Sequence, residues 1–157
     1  MSRSAAPADR FAAPADPFAA LVREFELELV HLRQMLALAE EEQRDLVAGD
    51  MTRLDAISAE KLGQLQALEL YTRQRAVYLA QQGFSSDAMG LAACALAAGR
   101  RGRALTTAWS RVAEALASLR DLNEENGLLL RARLAEVGDP AELLADLARL
   151  DASREAG

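Results

Sequence analysis

The apolar positions of the chain recur at steps of three and four residues, which is the period of an amphipathic helix. This pattern predicts long helices over residues 17–48, 51–82 and 104–137, a short helix through 91–96 and a last helix over 140–152. No run of alternating β-branched or aromatic residues predicts a strand. Because short connections make consecutive helices antiparallel, the expected fold class is all-α: an elongated antiparallel bundle of three long helices, with short accessory and C-terminal helices.

Three short segments mark the ends of these helices. Asp16 and Pro17 suit the cap and the first position of a helix. Gly49-Asp50 separates the first two long helices, because glycine suits a helix end and Asp50 suits the next cap. Gly138-Asp139-Pro140 stops the third long helix and starts the last one.

These boundaries give three expected parts. Residues 1–16 are rich in Ala, Pro and Asp, contain a repeated Pro-Ala-Asp segment and are expected to form a disordered N-terminal tail. Residues 17–137 are expected to form the helical bundle domain. Residues 138–157 are expected to form a mobile C-terminal amphipathic helix and tail.

The third long helix carries two asparagines on a face that is otherwise apolar. Asn123 and Asn126 continue the steps of four and three that begin with Leu105, Trp109, Val112, Leu116 and Leu119. A buried amide without a partner costs about 1–3 kcal/mol, so this face needs a polar partner or a binding partner. Lys61, on the second helix, either extends its ammonium to solvent or pairs with both amides in a polar layer that fixes the register of the bundle.

The Asn126-Gly127 pair also has two interpretations. It can end a helix in a turn. However, apolar residues continue at helical spacing from Leu128 to Leu134 without a new cap. We therefore favour a helix that continues through Gly127, straight or locally bent.

The last helix is the candidate partner-binding element. Its four leucines lie within about two turns, with the spacing of a helix that lays one apolar face into a groove: Leu143, Leu144, Leu147 and Leu150. The alternative is that this helix only caps the end of the bundle.

Charge and cysteine content narrow the class of protein. A formal net charge of -6 over 157 residues argues against nucleic-acid binding, and the short basic run at Arg100–Arg103 is typical of a solvated loop. No apolar stretch reaches the ~18 residues that a membrane-spanning helix requires. The single cysteine, Cys94, lies among alanines and leucines, which predicts a packed side chain and fits a reducing cytoplasm.

No catalytic or cofactor-binding pattern stands out. The sole histidine, His31, has no Asp or Cys partner near it in sequence, and Glu40-Glu41-Glu42 point in different directions on a helix. The chain has no phosphate-binding loop and no nucleophile elbow. We expect a protein that is not an enzyme and that uses no cofactor and no metal.

The order of certain residues resembles the FlgN-type flagellar export chaperones. In that family a Gly-Asp turn follows a long first helix, a lysine and an arginine follow in the second helix, and an Asn-x-x-Asn-Gly motif marks the third. The matching positions over residues 20–137 are Glu40, Leu46, Gly49-Asp50, Leu54, Lys61, Leu65, Arg73, Gly83, Gly90-Leu91, Trp109 and Asn123-Glu124-Glu125-Asn126-Gly127.

The resemblance implies a cytoplasmic chaperone for the hook–filament junction proteins FlgK and FlgL. Such chaperones bind the C-terminal helical segments of their clients and deliver them to the flagellar type III export gate. Two alternatives are a structural coiled-coil or scaffold protein and a FliT-type chaperone of the filament cap. The Asn123-to-Gly127 motif favours the FlgN type.

Overall fold

The computed structural model describes residues 16–136 and 140–156, and every regular element in these ranges is helical. The helices are α1 (Pro17–Ala48), α2 (Leu54–Gln81), α3 (Ala88–Ala97), α4 (Gly102–Ala135) and α5 (Pro140–Glu155), with a 3₁₀ turn at Gly99–Arg101 before α4. The all-α class and the long helices are thereby confirmed. The predicted N-terminal tail, apart from Asp16, lies outside the described residues.

Local capping explains where α1 and α3 begin and where α1 ends. The Asp16 carboxylate accepts hydrogen bonds from the amides of Phe18 and Ala19, both at 3.2 Å, as the sequence predicted. Asp87 accepts one from the amide of Gly90 at 2.8 Å, at the start of α3. At the end of α1, Gly49 has a φ of 74°, a left-handed conformation that glycine adopts without strain.

Asp50 has a different role from the predicted one. Its carboxylate accepts hydrogen bonds from the amide and the hydroxyl of Thr52, at 3.1 and 2.7 Å. These bonds lower the pKa of Asp50, and they form a tight turn instead of a helix cap. For this reason α2 begins at Leu54, three residues later than the sequence pattern predicted.

The long helices alternate in direction, so that α1 and α4 are parallel and α2 is antiparallel to both. Phe25 of α1 lies beside Trp109 of α4, with ring centroids 5.5 Å apart. Further along, the Asn126 side chain contacts the carbonyl of Ala39. Contacts between α1 and α4 therefore advance in the same direction along both helices, as they do in a parallel pair. Helix α2 and the short α3 return the chain to the start of this parallel pair.

The α1–α4 pair forms most of the core, and small residues lie at its centre. The buried positions of α4 are spaced by three and four residues: Leu105, Ala108, Val112, Ala115 and Leu119. The prediction that Leu116 lies on this seam is wrong, whereas Trp109 packs against the core at the edge of the seam. Alanine lets two helices approach closely, so the larger side chains lie to one side: Trp109 is half-buried, and Leu116 is 36% exposed.

An ion pair in the interior holds α2 against α1 and α4. Arg75 of α2 pairs with Glu28 of α1, whose side chain is only 3% exposed. The guanidinium also lies 5.0 Å from the ring centre of Phe25 and 5.6 Å from that of Trp109. Burial raises the pKa of Glu28, and the positive charge of Arg75 opposes that rise. Burial also raises the pKa of the neighbouring Glu24, and the positive charge of Arg75 again opposes the rise.

The raised pKa of Glu24 predicts a pH-dependent stability. The folded state favours protonated Glu24. The contribution of this group to the free energy of unfolding is therefore complete below its ordinary pKa of 4.5, and it is lost as the pH rises through the raised pKa. Glu24→Gln removes this ionisation. The free energy of unfolding of the variant, relative to the natural chain, should therefore increase between about pH 4 and pH 7. Urea titrations at several pH values measure the difference, with Glu26→Gln on the exposed side of α1 as the control. A difference that stays constant over this range would contradict the expectation.

Candidate functional site

A groove runs between α2 and α4, with α1 beneath it. Helix α2 packs along α1 but stands mostly apart from α4. The resulting space has a volume of about 670 Å³. Its floor is formed by apolar side chains that are nearly buried: Met35, Leu68 and Leu119.

The walls of the groove are apolar and reach solvent. Leu62 and Leu65 of α2 are 56% and 44% exposed, and Leu116 of α4 faces them across the groove. A continuous exposed apolar surface of this kind marks an interaction site. The lining residues of α2 run from Ser58 to Arg75, a length of about 26 Å at 1.5 Å per residue. The groove therefore matches the apolar face of a partner helix of about five turns.

One end of the groove is bridged by a cluster of polar residues. The Lys61 ammonium donates to the Asn123 side-chain oxygen at 2.8 Å and lies 3.4 Å from the Glu42 carboxylate. The Asn126 amide donates to the same carboxylate at 2.9 Å and to the carbonyl of Ala39 at 2.8 Å. Glu42 thus contacts Asn126 directly and Asn123 through Lys61. We call Glu42, Lys61, Asn123 and Asn126 the polar clasp.

The polar clasp differs from the sequence expectation in two respects. Asn126 is buried, at 2% exposure, but Asn123 is exposed, so the prediction that both amides lie on a dry face is wrong for Asn123. The reason is that Asn123 points towards Lys61 across the groove, and Leu116, two turns before it on α4, also lines the groove. Sequence reasoning also missed Glu42. Its one available signal was its position three residues after Ala39, on the face that meets α4.

Gly127 lies within a continuous α4, not at a turn. The position that a side chain would occupy there is open space. Gly127 instead lines a second hollow of about 270 Å³ beyond the Lys61–Asn123 bridge. This hollow continues the groove towards Leu46 and Leu130.

Arg133 is a further structural residue that the sequence pattern does not reveal. Its guanidinium donates to the backbone carbonyl of Leu46 at 2.7 Å and to that of Val47. It thereby adds a donor to carbonyls in the last turn of α1, where the Leu46 carbonyl also accepts from the Gly49 amide at 3.2 Å. The contact joins residues 86 to 87 positions apart, so no local sequence signal could indicate it.

The last helix doubles back beside α4. Arg154 of α5 lies 3.9 Å from the Glu124 carboxylate. Leu150 is half-buried, whereas the side chains of Leu143, Leu144 and Leu147 lie outside the described part of the chain. Among the described residues, those that line the groove come from α1, α2 and α4.

The described residues bring together no reactive or metal-binding set. No group of three His, Cys, Asp or Glu side chains in residues 16–136 and 140–156 is placed to hold a metal ion. The ring nitrogen Nδ1 of His31 lies 2.6 Å from the Gln64 side-chain oxygen. Cys94 is fully buried, and burial raises the pKa of its thiol. None of the helices in these ranges has the length and apolar content needed to cross a membrane.

The two asparagines of the polar clasp should contribute unequally to stability. Asn126→Ala removes two hydrogen bonds at a buried position, and we expect it to lower the free energy of unfolding by about 1–3 kcal/mol. Asn123→Ala, the matched control, removes one bond at an exposed position and should lower it by less than about 1 kcal/mol. Urea denaturation followed by circular dichroism measures both. An Asn126 variant as stable as the natural chain would show that its hydrogen bonds add nothing to the fold.

Comparison with known proteins agrees with this architecture. Residues 18–145 match the model of a family described as FlgN protein. A solved structure of a flagella synthesis protein FlgN from Pseudomonas aeruginosa is similar, with 30% sequence identity and a TM-score of 0.66, over 85% of this chain and 98% of that chain. A search of curated proteins finds no match. Because the family match spans most of the sequence and the similar structure shares its helical fold, the chain belongs to the FlgN family.

Proposed function

We propose that this protein is a flagellar export chaperone that binds the C-terminal helical segments of the hook–filament junction proteins FlgK and FlgL. The α2–α4 groove is the proposed binding site. In this proposal the protein acts in the cytoplasm, keeps the client segment from aggregating and presents it to the flagellar export gate. The observation that carries the proposal is the open apolar groove in a chain of the FlgN family.

The groove suits a helix better than an extended peptide. Its walls are helix surfaces whose side chains offer apolar contacts, and their backbone groups are already paired within the helices. An extended strand would find no free sheet edge among the described residues. A helical client with leucines or similar residues on one face would instead cover Leu62, Leu65 and Leu116 together.

The expected energies decide which residues to test. Complete burial of a leucine is worth about 1.5–3 kcal/mol, so covering a half-exposed leucine is worth roughly half of that. Micromolar binding requires about 8 kcal/mol. Leu62, Leu65 and Leu116 would thus supply part of the affinity, and the floor and the polar ends of the groove would supply the rest. Loss of two leucines should still change the affinity measurably.

The groove is tested by changing its leucines to aspartate. Leu62→Asp with Leu65→Asp should weaken binding of the C-terminal peptide of FlgK or FlgL from the same organism by at least tenfold, because charges would be buried under the client. Both positions are exposed in the free protein, so thermal stability should change little. Isothermal titration calorimetry measures the affinity. Leu70→Asp is the matched control, since Leu70 is 54% exposed on α2 but does not line the groove.

Each outcome of this experiment has a distinct meaning. Absence of binding by the natural chain to both peptides at high micromolar concentration would overturn the chaperone proposal. Equal loss of affinity in the Leu70 variant would place the client on another face of α2. Undiminished binding by the groove variant would remove the groove from the proposal.

The last helix is proposed to act on the same client, either as a grip or as a lid. Leu143→Asp with Leu147→Asp should leave the melting temperature nearly unchanged. Client affinity should fall if α5 grips the client and rise if α5 occupies the client's site. Calorimetry with the same peptides measures the change, and Ala148→Asp at an exposed position of α5 is the control. A change below about 0.5 kcal/mol, the usual effect of surface substitutions, would reject both roles.

A further inference from the structure

The α1–α4 pair has a second cleft on the flank away from α2. On α1, Glu28 and His31 face α2, whereas Val22 and Leu29 face this cleft. The cleft has a volume of about 480 Å³, and Ala104 and Ala108 of α4 complete its apolar floor.

Three arginines line this cleft, and we call it the arginine cleft. Arg100 belongs to the 3₁₀ turn, and Arg103 and Arg111 belong to α4. All three side chains are exposed. Within the described part of the chain, none of them makes a hydrogen bond, an ion pair or a ring contact, in contrast to the neighbouring Arg101, which pairs with Asp16. Glu26 is the single acidic residue in the lining.

The three arginines are spaced along the length of the cleft. Arg103 and Arg111 are two turns apart on one helix, a separation of about 12 Å, and Arg100 lies roughly one turn before Arg103. The three arginines thus follow one another along the apolar cleft. Guanidinium binds carboxylate through two parallel hydrogen bonds, which a row of carboxylates at helical spacing can satisfy.

We infer that the arginine cleft is a second docking surface, which binds an acidic amphipathic helix of a partner protein. Charge complementarity carries this inference: three guanidinium groups have no partner among the described residues, in a chain with a net charge of -6. At physiological salt, exposed charges more than about 8 Å apart are largely screened. The local row of arginines therefore governs the contact, despite the acidic remainder of the protein. The inference is independent of what the α2–α4 groove binds.

Other occupants fit the cleft less well. Residues 1–15 of the chain contain two arginines and one aspartate, so the N-terminal segment carries the wrong charge. A single-stranded nucleic acid stacks its bases on exposed aromatic rings, and the one ring in the lining, Phe25, is 1% exposed. Against a duplex, the net charge of -6 repels its phosphates. An apolar floor with carboxylate-binding sides instead matches a helix that is apolar on one face and acidic on its flanks.

The test uses a fluorescent peptide of about 18 residues, five turns of helix, with leucines on one face and glutamates on the flanks. Fluorescence anisotropy is measured on the full chain carrying Leu62→Asp and Leu65→Asp, so that the α2–α4 groove does not bind the peptide. We expect binding that weakens at least tenfold when Arg103→Glu and Arg111→Glu are added. Arg120→Glu with Arg131→Glu, at exposed α4 positions outside the cleft, is the matched control and should change affinity less than threefold.

Further experiments identify which molecule binds in the arginine cleft and where it lies. A photo-crosslinking residue at Thr107, which lines the cleft, should label the acidic peptide, and one at Arg120 should not. The same peptide with lysine in place of glutamate should not bind. Tighter binding of an RNA oligonucleotide, or a dimer of the chain that Arg103→Glu and Arg111→Glu dissociate, would overturn the inference in favour of those occupants. Equal peptide binding by the cleft and control variants would overturn it as well.

Calorimetry with the FlgK and FlgL peptides, run on the chain that carries only Arg103→Glu and Arg111→Glu, keeps this result separate from the proposed chaperone activity.

Discussion

Close parallel packing of α1 against α4 is the constraint on which the rest of the structure depends. Alanines at positions 39, 108 and 115 let the two helices approach, and on α4 they alternate with the buried Leu105, Val112 and Leu119. A parallel pair cannot be joined by a short turn, so α2 and α3 must return the chain along the outside. Helix α2 therefore packs on the outside of this pair.

The polar contacts of α2 follow from this arrangement. Only Ile57, Leu68 and Leu79 of its 28 residues are buried apolar side chains. Polar contacts hold it at three places: Arg75 pairs with Glu28, Gln64 contacts His31, and Lys61 joins the rest of the polar clasp. Between Lys61 and Arg75, Leu62 and Leu65 stay exposed because α4 lies too far from α2 to cover them, and this is the physical origin of the groove.

The sequence predicts the elements of this fold more completely than their contacts. Asp16, Gly49 and Asp87 act within one turn of their own positions, so local chemistry identifies the ends of α1 and the start of α3. Helical period alone does not decide whether Leu65 or Leu116 faces a neighbour or solvent, because that depends on how far apart α2 and α4 lie. Arg75, Arg133 and Glu42 were missed for a related reason: each looks like a solvated charge in sequence, and each finds its partner on another helix.

Lys61 is the sole lysine of the chain, and every other basic side chain apart from His31 is an arginine. Its ammonium spans the groove from α2 to Asn123 of α4, at the point where the groove passes into the second hollow. A protease that cleaves only after lysine therefore has one site in this protein, and a reagent specific for side-chain amines has one target. Both lie at the groove. Anything that fills the groove changes the access to this one amine, so the natural protein already contains a chemical reporter of its own occupancy.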